Sequence, residues 1–406
     1  MLPVLLVALR TPRGDPSRRG VGGGPGHRER RPAGVSASAA WVEVDTGAVA
    51  HNLGAVRDAL GPGAHVCAVV KADAYGHGVD LVAPTLIARG VESFGVTSNE
   101  EARTVRATGF TGRILRLRAA LREEVEDAAG LGVEEWIGGA AHAAVVAAAG
   151  AATGRRVRAH VSINATGISR DGIDLDDANA AAQLRQIGAD ARLDVVGVAS
   201  HFPCEDADDV HDGAAAFAIQ ARHAGALLAR GPLERHCATS YAALTVPASR
   251  FDLVRIGAAL YGDTSASLAE LRPAMRLVSR IAAISAYPAG RTVGYDRTHR
   301  LDAPARLAAV PLGYADGYQR TLGGRAEVLV RGRRMPVVDR LAMNTLLVDV
   351  TCAEDAVIGD EVVLYGAQGA ERISGADLEH ASGQIAANLY TSWGRLLPRR
   401  AISLSA

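Results

Sequence analysis

A chain of 406 residues, 48% of them hydrophobic, is long enough to fill two globular cores. Lysine plus arginine balance aspartate plus glutamate at 44 each, so no net positive field exists to hold a nucleic acid and a small molecule is the expected ligand. No apolar run approaches the roughly 20 residues that cross a bilayer, which argues against a membrane span. Cys67, Cys204, Cys237 and Cys352 lie too far apart for a Cys-x-x-Cys metal site or a dense disulfide framework.

Residues 1–40 are rich in glycine, proline and arginine and carry neither a helical nor a strand period, so disorder is expected there. Residues 1–9 are apolar and Ala37-Ser38-Ala39 resembles a signal-peptidase site. No basic residue precedes the apolar run, however, and about thirty residues separate the two features, so a cytoplasmic location is the expectation.

Eight short apolar runs follow, at 65–70, 93–97, 113–117, 135–138, 157–163, 195–201, 235–239 and 253–261, alternating with alanine-rich stretches whose charges fall at helical spacing. Eight strands alternating with helices predict an α/β fold, a (β/α)8 TIM-type barrel, over 41–270. Chemistry in such barrels gathers at the C-terminal ends of the strands. Lys71 closes the first strand, Asn164 and Arg170 follow the fifth, and His201 ends the sixth. Ser240 follows the seventh, and Arg255 and Gly257 lie in the eighth. Each could be structural by itself, and a lysine at a strand end is more often surface than site. A lysine, two arginines and a histidine on one rim are different, because they repel one another unless an anion sits between them. A lysine at the mouth of a buried strand also suits a carbonyl cofactor such as pyridoxal phosphate.

Beyond residue 270 the texture changes to alternating, glycine-punctuated runs such as 326–330 and 360–365, which predict a second, mostly β domain over 271–406. Two unusual clusters lie in it, at 293–298 and 312–318. Tyrosines in glycine-rich turns serve packing more often than function.

In order along the chain, Lys-Ala-Asp-Ala-Tyr-Gly-His-Gly at 71–78, Ser-His-Phe at 200–202, Asp-Leu-Val-Arg-Ile-Gly-Ala-Ala-Leu-Tyr-Gly at 252–262, Gly-Tyr-Asp-Arg-Thr at 294–298 and Gly-Tyr-Ala-Asp-Gly-Tyr at 313–318 resemble the alanine racemases. These are fold-type III pyridoxal phosphate enzymes with a barrel and a C-terminal β domain, and the likeness runs from residue 41 to about 400. The resemblance implies that Lys71 carries the cofactor and is one of two acid/base groups, with Tyr295 the other. Free amino acids would then be racemised by removing a proton on one face and returning one on the opposite face. Tyr75, Ser240, Gly257 and Tyr390 match the phosphate-binding positions, Arg170 the arginine on the phenolic oxygen, and Arg255 the arginine facing the pyridine nitrogen. His201 matches the residue that connects Arg255 toward the catalytic tyrosine. Arg170, Tyr314, Met343 and Asn344 are the implied substrate contacts, and no metal is implied. A homodimer is implied as well, each site shared between the barrel of one subunit and the β domain of the other, so that Tyr295 acts in trans.

Two stretches depart from the alanine racemase pattern. Where that family usually has a lysine ahead of Asp-Thr-Gly-Met-Gly-Arg, this chain reads Ile-Asn-Ala-Thr-Gly-Ile-Ser-Arg-Asp-Gly at 163–172, with no lysine to orient Arg170. Where Met-Asp-Gln is common, it has Met343-Asn344-Thr345. Both, with the 389–394 stretch, are similar to the broad-specificity amino-acid racemases, which predicts substrates beyond alanine. Strict alanine racemisation is the alternative, because 313–316 follows the alanine type. Many broad-specificity relatives form a disulfide from the cysteine matching Cys67, but the expected partner region, 92–94, has no cysteine. A decarboxylase and a non-catalytic cofactor carrier are the more distant alternatives: the first lacks its cysteine and aspartate pattern here, and the second would end near residue 260.

Overall fold

The computed structural model describes residues 38–263, 266 and 271–402. The disorder expected over 1–40 falls almost wholly outside these residues; at its end, Ala40 already opens a strand. That strand, β1 (Ala40–Asp45), leads into the helix Thr46–Leu60, which Asp45 caps by accepting the Ala48 N–H at 3.1 Å.

The eight predicted barrel strands all form: β2 (Val66–Val69), β3 (Ser93–Val96), β4 (Arg113–Ala119), β5 (Val133–Ile137), β6 (Val157–Ser162), β7 (Leu193–Ala199), β8 (Glu234–His236) and β9 (Val254–Ile256). They pair in parallel in the order β8-β7-β6-β5-β4-β3-β2-β9. The β8–β9 seam is bridged by the Asp252 N–H to the Arg235 carbonyl and the Arg255 N–H to the Ala238 carbonyl, both 3.0 Å, so the barrel is nearly closed. Strands such as Val66–Val69 are buried at every position, as parallel strands covered on both faces must be. The helices between them each bury one stripe; Ala207–Leu228 turns Val210, Ala214, Phe217, Ala221, Ala224 and Leu228 inward at helical spacing. The last strand is shorter than the 253–261 run suggested, because Gly257 turns the chain into the 3-10 segment Ala258–Tyr261.

The second region holds β10 (Met275–Arg280), β11 (Ala283–Tyr287), β12 (Thr292–Val293), β13 (His299–Arg300), β14 (Ala305–Val310), β15 (Glu327–Val330), β16 (Arg333–Val338), β17 (Leu346–Asp349), β18 (Glu361–Gln368), β19 (Glu371–Ile373) and β20 (Arg399–Ile402). Its sheet runs β11-β14-β17-β16-β15-β18-β10-β1-β20, with β19 on β18 and β12–β13 a separate hairpin. β1 therefore belongs to this sheet, antiparallel to β10 and parallel to β20, and not to the barrel span that the sequence reading opened at residue 41. The barrel is inserted between the first two strands of the second sheet. Among the described residues no helix is long and apolar enough to cross a membrane.

Cys67 stands in register with Ser93 across β2 and β3 and is a free, buried thiol.

Candidate active site

Lys71 leaves β2 directly into a turn of unusual hand. Ala72, Asp73, Ala74 and Tyr75 all have φ near +54°, a full left-handed turn without a glycine in it. Such backbone costs roughly 1–2 kcal/mol per residue and persists only where its surroundings hold it. The Ala74 N–H donates to Val70 at 2.8 Å, the Gly76 N–H to Ala72 at 2.9 Å and the Gly78 N–H to Asp73 at 2.9 Å. The Asp73 carboxylate accepts the Val79 N–H at 2.9 Å and pairs with Arg399 at the start of β20. His77 stacks on Tyr261 with ring centroids 4.5 Å apart. Gly76 presses against the helix Ala386–Leu396: a Cβ on Gly76 would stand 2.2 Å from the Tyr390 carbonyl oxygen, and one on Gly394 only 1.8 Å from the Gly76 oxygen. Gly76 and Gly394 thus let two backbones touch, and the turn aims both Lys71 and Tyr75 into one cavity.

That cavity, about 570 Å³, opens at the C-terminal end of the barrel. Lys71, Tyr75, Arg170, His201, Ser240, Arg255 and Gly257 all line it, so seven of the predicted site residues meet there. Burial, then the charges of Arg170 and Arg255, hold the Lys71 ammonium below its ordinary pKa. An amine so depressed is easier to use as a nucleophile near neutral pH. The Ser240 hydroxyl accepts the backbone N–H groups of Gly257 (3.1 Å) and Ala259 (3.2 Å), drawing two chain segments into a small polar cradle with Thr239 and Ala258. A Cβ on Gly257 would lie 2.4 Å from the Tyr75 hydroxyl oxygen, so only glycine fits beside Tyr75. Burial, then Asp263, push the Tyr75 phenol up to about 12, which keeps it a hydrogen-bond donor. An amine and, in the same cavity, a glycine, serine and tyrosine cradle after strands seven and eight suit a phosphorylated carbonyl compound.

Arg255, wholly inside, donates from Nη1 to His236 Nδ1 (2.7 Å) and the His236 carbonyl (3.0 Å). Its Nη2 donates to the carbonyls of Ser200 (2.8 Å) and Cys237 (3.0 Å) and to His201 Nδ1 (3.2 Å). Burial, then Arg255, Arg170 and Lys71, push His201 down to about 3. His201 is therefore neutral, accepts on Nδ1 and carries its hydrogen on Nε2.

Arg170 is exposed, and the loop that carries it is shaped by Asn164 instead of a lysine. The Asn164 side chain accepts the Ser169 N–H at 2.8 Å and donates to Ser169 Oγ (3.2 Å) and Asp174 (3.3 Å).

Tyr390 differs from its predicted place. It is buried, its hydroxyl donates to the Asp263 carboxylate, and it packs on Tyr365; it does not line the cavity. Ala387, Asn388 and Thr391 of the same helix face the site instead, because the motif that suggested Tyr390 says nothing about helix phase. Trp136, Leu117 and Glu205 also line the cavity without having been singled out; Trp136 alone carried a signal, as an aromatic near the C-terminal end of a barrel strand.

Tyr295, Tyr314, Met343 and Asn344 do not line this cavity. Tyr295 is 58% exposed, on a turn pinned from behind: a Cβ on Gly294 would stand 1.7 Å from Asp339 Oδ2, and Thr298 donates to Asp339 at 2.7 Å. Tyr314, Met343 and Asn344 form one group, tied by the Ala315 N–H to the Met343 carbonyl (2.9 Å) and by the Asn344 amide to both Asp316 oxygens (3.1 and 3.2 Å). A carboxylate at 344 would repel Asp316 where the amide binds it.

The fold and site together define a barrel enzyme with a lysine-centred, cation-lined pocket. Residues 44–265 match the alanine racemase N-terminal domain family, and residues 274–401 its C-terminal domain family. The chain is 45% identical over 369 residues to a broad specificity amino-acid racemase of Pseudomonas putida, covering 90% of each chain. It is 39% identical over 356 residues to a lysine racemase of Proteus mirabilis, covering 87% of each. Among solved structures, the alanine racemase of D-cycloserine-producing Streptomyces lavendulae superposes with a TM-score of 0.83 at 32% identity, over 91% of this chain and 99% of that one. The alanine racemase of Bartonella henselae, with covalently bound pyridoxal phosphate, superposes with a TM-score of 0.78 at 25% identity, over 90% and 100%. The chain belongs to the alanine racemase family and is an amino-acid racemase.

Proposed function

We propose that this racemase uses pyridoxal phosphate held by Lys71, accepts several amino acids besides alanine, and works as a homodimer whose sites are completed by Tyr295 of the partner subunit. The observation that carries the reading is the depressed Lys71 amine in a cation-lined cavity that its own Tyr295 does not reach. Bound pyridoxal phosphate would supply the electron sink that makes an α-proton removable. In this reading Tyr75, Ser240 and the backbone at Gly257 hold the phosphate, and Arg170 takes the phenolic oxygen and the substrate carboxylate. Arg255 keeps its protons at any working pH, so its Nε–H, which no protein group accepts among the described residues, faces the pyridine nitrogen as a donor that never transfers. Lys71 Nζ moves a proton at Cα on one face, and the hydroxyl of Tyr295 of the partner subunit does so on the other. In this reading the His201 Nε2–H donates to that tyrosine oxygen. The broad range rests on the likeness to the Pseudomonas putida racemase and on Asn344, which leaves the mouth one carboxylate poorer than an aspartate would.

The test is incubation with pyridoxal phosphate and, separately, L-alanine, L-lysine, L-arginine, L-serine and L-methionine, followed by chiral chromatography with Lys71→Ala as the control. Conversion of several, abolished by the substitution, is expected. Conversion of alanine alone would restore the strict alanine racemase.

A further inference from the structure

Barrels of this type are ordinarily filled by layers of branched apolar side chains. This one encloses a file of buried polar groups. Arg255 on β9, His236 on β8, His160 on β6 and Glu134 on β5 are all at most 5% exposed. His236 and His160 meet across the intervening β7, so both point into the barrel, and β7 makes room for them: a Cβ on Gly197 would stand 2.3 Å from His160 Nδ1.

The direction of every hydrogen bond in the file follows from its first member. Arginine has no acceptor, so Arg255 Nη1 donates to His236 Nδ1 at 2.7 Å. Burial, then neighbouring charge, holds His236 well below its ordinary pKa, so the ring is neutral and its hydrogen is on Nε2. His236 Nε2 is 3.0 Å from His160 Nδ1, which must therefore accept, leaving the His160 hydrogen on Nε2. That nitrogen is 2.9 Å from Glu134 Oε2. Arg113 clamps the Glu134 carboxylate at 2.8 and 3.2 Å, and Arg158 does so at 3.0 Å. Although burial opposes ionisation, the bonds from His160 and Arg113 hold Glu134 down to about 2, so it ends the file as an anion. His160, His236 and Glu234 are close enough to suggest a metal site. Both Nδ1 lone pairs are already engaged, however, and Arg113 donates to both Glu234 oxygens at 2.8 Å.

We propose that His160 and Glu134 are positioning residues of the racemase site: by keeping His236 Nδ1 an acceptor they hold the Arg255 guanidinium in place, facing the cofactor ring. The inference rests on the pyridoxal phosphate reading above. Its physical content is a choice of tautomer. With the hydrogen on Nδ1, His236 would present an N–H to the guanidinium and push it away; an acceptor at the far side of the ring removes that state. Deleting the acceptor leaves a buried N–H unsatisfied, enough to bring the wrong tautomer into play.

The test uses His160→Leu, which breaks the file, and His160→Gln, whose amide oxygen can accept from His236 while its NH2 donates to Glu134. Nitrogen-15 NMR of the imidazoles in the unloaded full-length protein reads the tautomers. Titration with pyridoxal phosphate reads affinity, and the pH dependence of the bound cofactor's visible absorption reads the field at its ring. Expected in the parent are two buried rings with the hydrogen on Nε2, His236 staying neutral between pH 6 and 9. Expected in His160→Leu are a mixed His236 tautomer, about tenfold weaker cofactor binding and a shifted absorption profile. His160→Gln should restore the His236 tautomer and bring affinity to within about threefold of the parent. Finding the His236 hydrogen on Nδ1 in the parent overturns the proposal, as does a His160→Leu protein with parental tautomer, affinity and spectrum. If His160→Leu does not fold, the parental tautomers and His160→Gln decide alone, and a glutamine variant binding tenfold more weakly counts against the proposal. A parent that binds no pyridoxal phosphate would instead sink the functional reading, while the tautomer order in the unloaded protein would still stand or fall on its own.

Discussion

Lys71 sits in a turn gripped from every side by its own chain: by Asp73 and Arg399, by Gly76 against Gly394, and by His77 on Tyr261. Tyr295 sits in a turn that also holds left-handed backbone, with Asp296 and Arg297 at φ +58° and +54°, and it is held by Asp339 and by the Asp296–Arg340 ion pair, but its ring faces outward. In the function proposed above, one half of the chemistry is complete within the chain and the other is displayed. A side chain held so firmly and yet left exposed makes sense as a component offered to another site, and the comparison can be broken at either half.

The largest effect should come from Tyr295→Phe, which keeps the ring and removes the hydroxyl. A loss of about 10²- to 10⁴-fold in racemisation is expected, while Lys71 should still exchange the α-hydrogen of one enantiomer with deuterated solvent. Equal loss of exchange for both enantiomers, read by NMR, would assign both faces to one base. Next comes Gly257→Ala, whose new methyl would meet the Tyr75 hydroxyl; about tenfold weaker binding of pyridoxal phosphate is expected, with a loss of roughly 1–3 kcal/mol in stability from the overpacking. On the displayed half, Asn344→Asp places a second carboxylate against Asp316. The ratio of kcat/KM for L-lysine to that for L-alanine should change several-fold; an unchanged ratio would remove residue 344 from the determinants of specificity.

The smallest effect is on stability. Burial, then Glu379 and Glu205, push the Asp263 carboxyl up to about 6, against about 3.9 in an unfolded chain. Between those values the folded state holds a proton that the unfolded state has lost, so Asp263 costs stability progressively as pH rises from 4 to 6, and the full cost remains above 6. Asp263→Asn should be as stable as the parent near pH 4 and about 1–2 kcal/mol more stable at pH 7, by urea unfolding of the unloaded protein. A constant difference across that range would contradict the assignment.

Much of this was legible in the chain itself. The barrel strands announce themselves because each is a short, largely apolar run between helical stretches, and the rim residues follow from the rule that barrel chemistry sits at strand ends. β1 was misplaced because a six-residue strand with five buried positions does not name its partners, and these lie more than 200 positions away, near 277 and 400. Tyr390 was read from a motif whose helix turns it onto Asp263 and brings Thr391 to the site. The Glu134–His160–His236 file was invisible for the same reason as β1. Three unremarked polar residues meet only when the barrel closes around Gly197.

The shared site is tested most directly by mixing two inactive proteins. Lys71→Ala and Tyr295→Phe subunits, unfolded together and refolded in equal amounts with pyridoxal phosphate, should form hybrid dimers with one intact site each and recover about a quarter of parental activity. Recovery at that level would place Tyr295 in trans to Lys71. A mixture no more active than its two components, with hybrid dimers demonstrated by mass spectrometry, would show that each chain uses its own tyrosine or none.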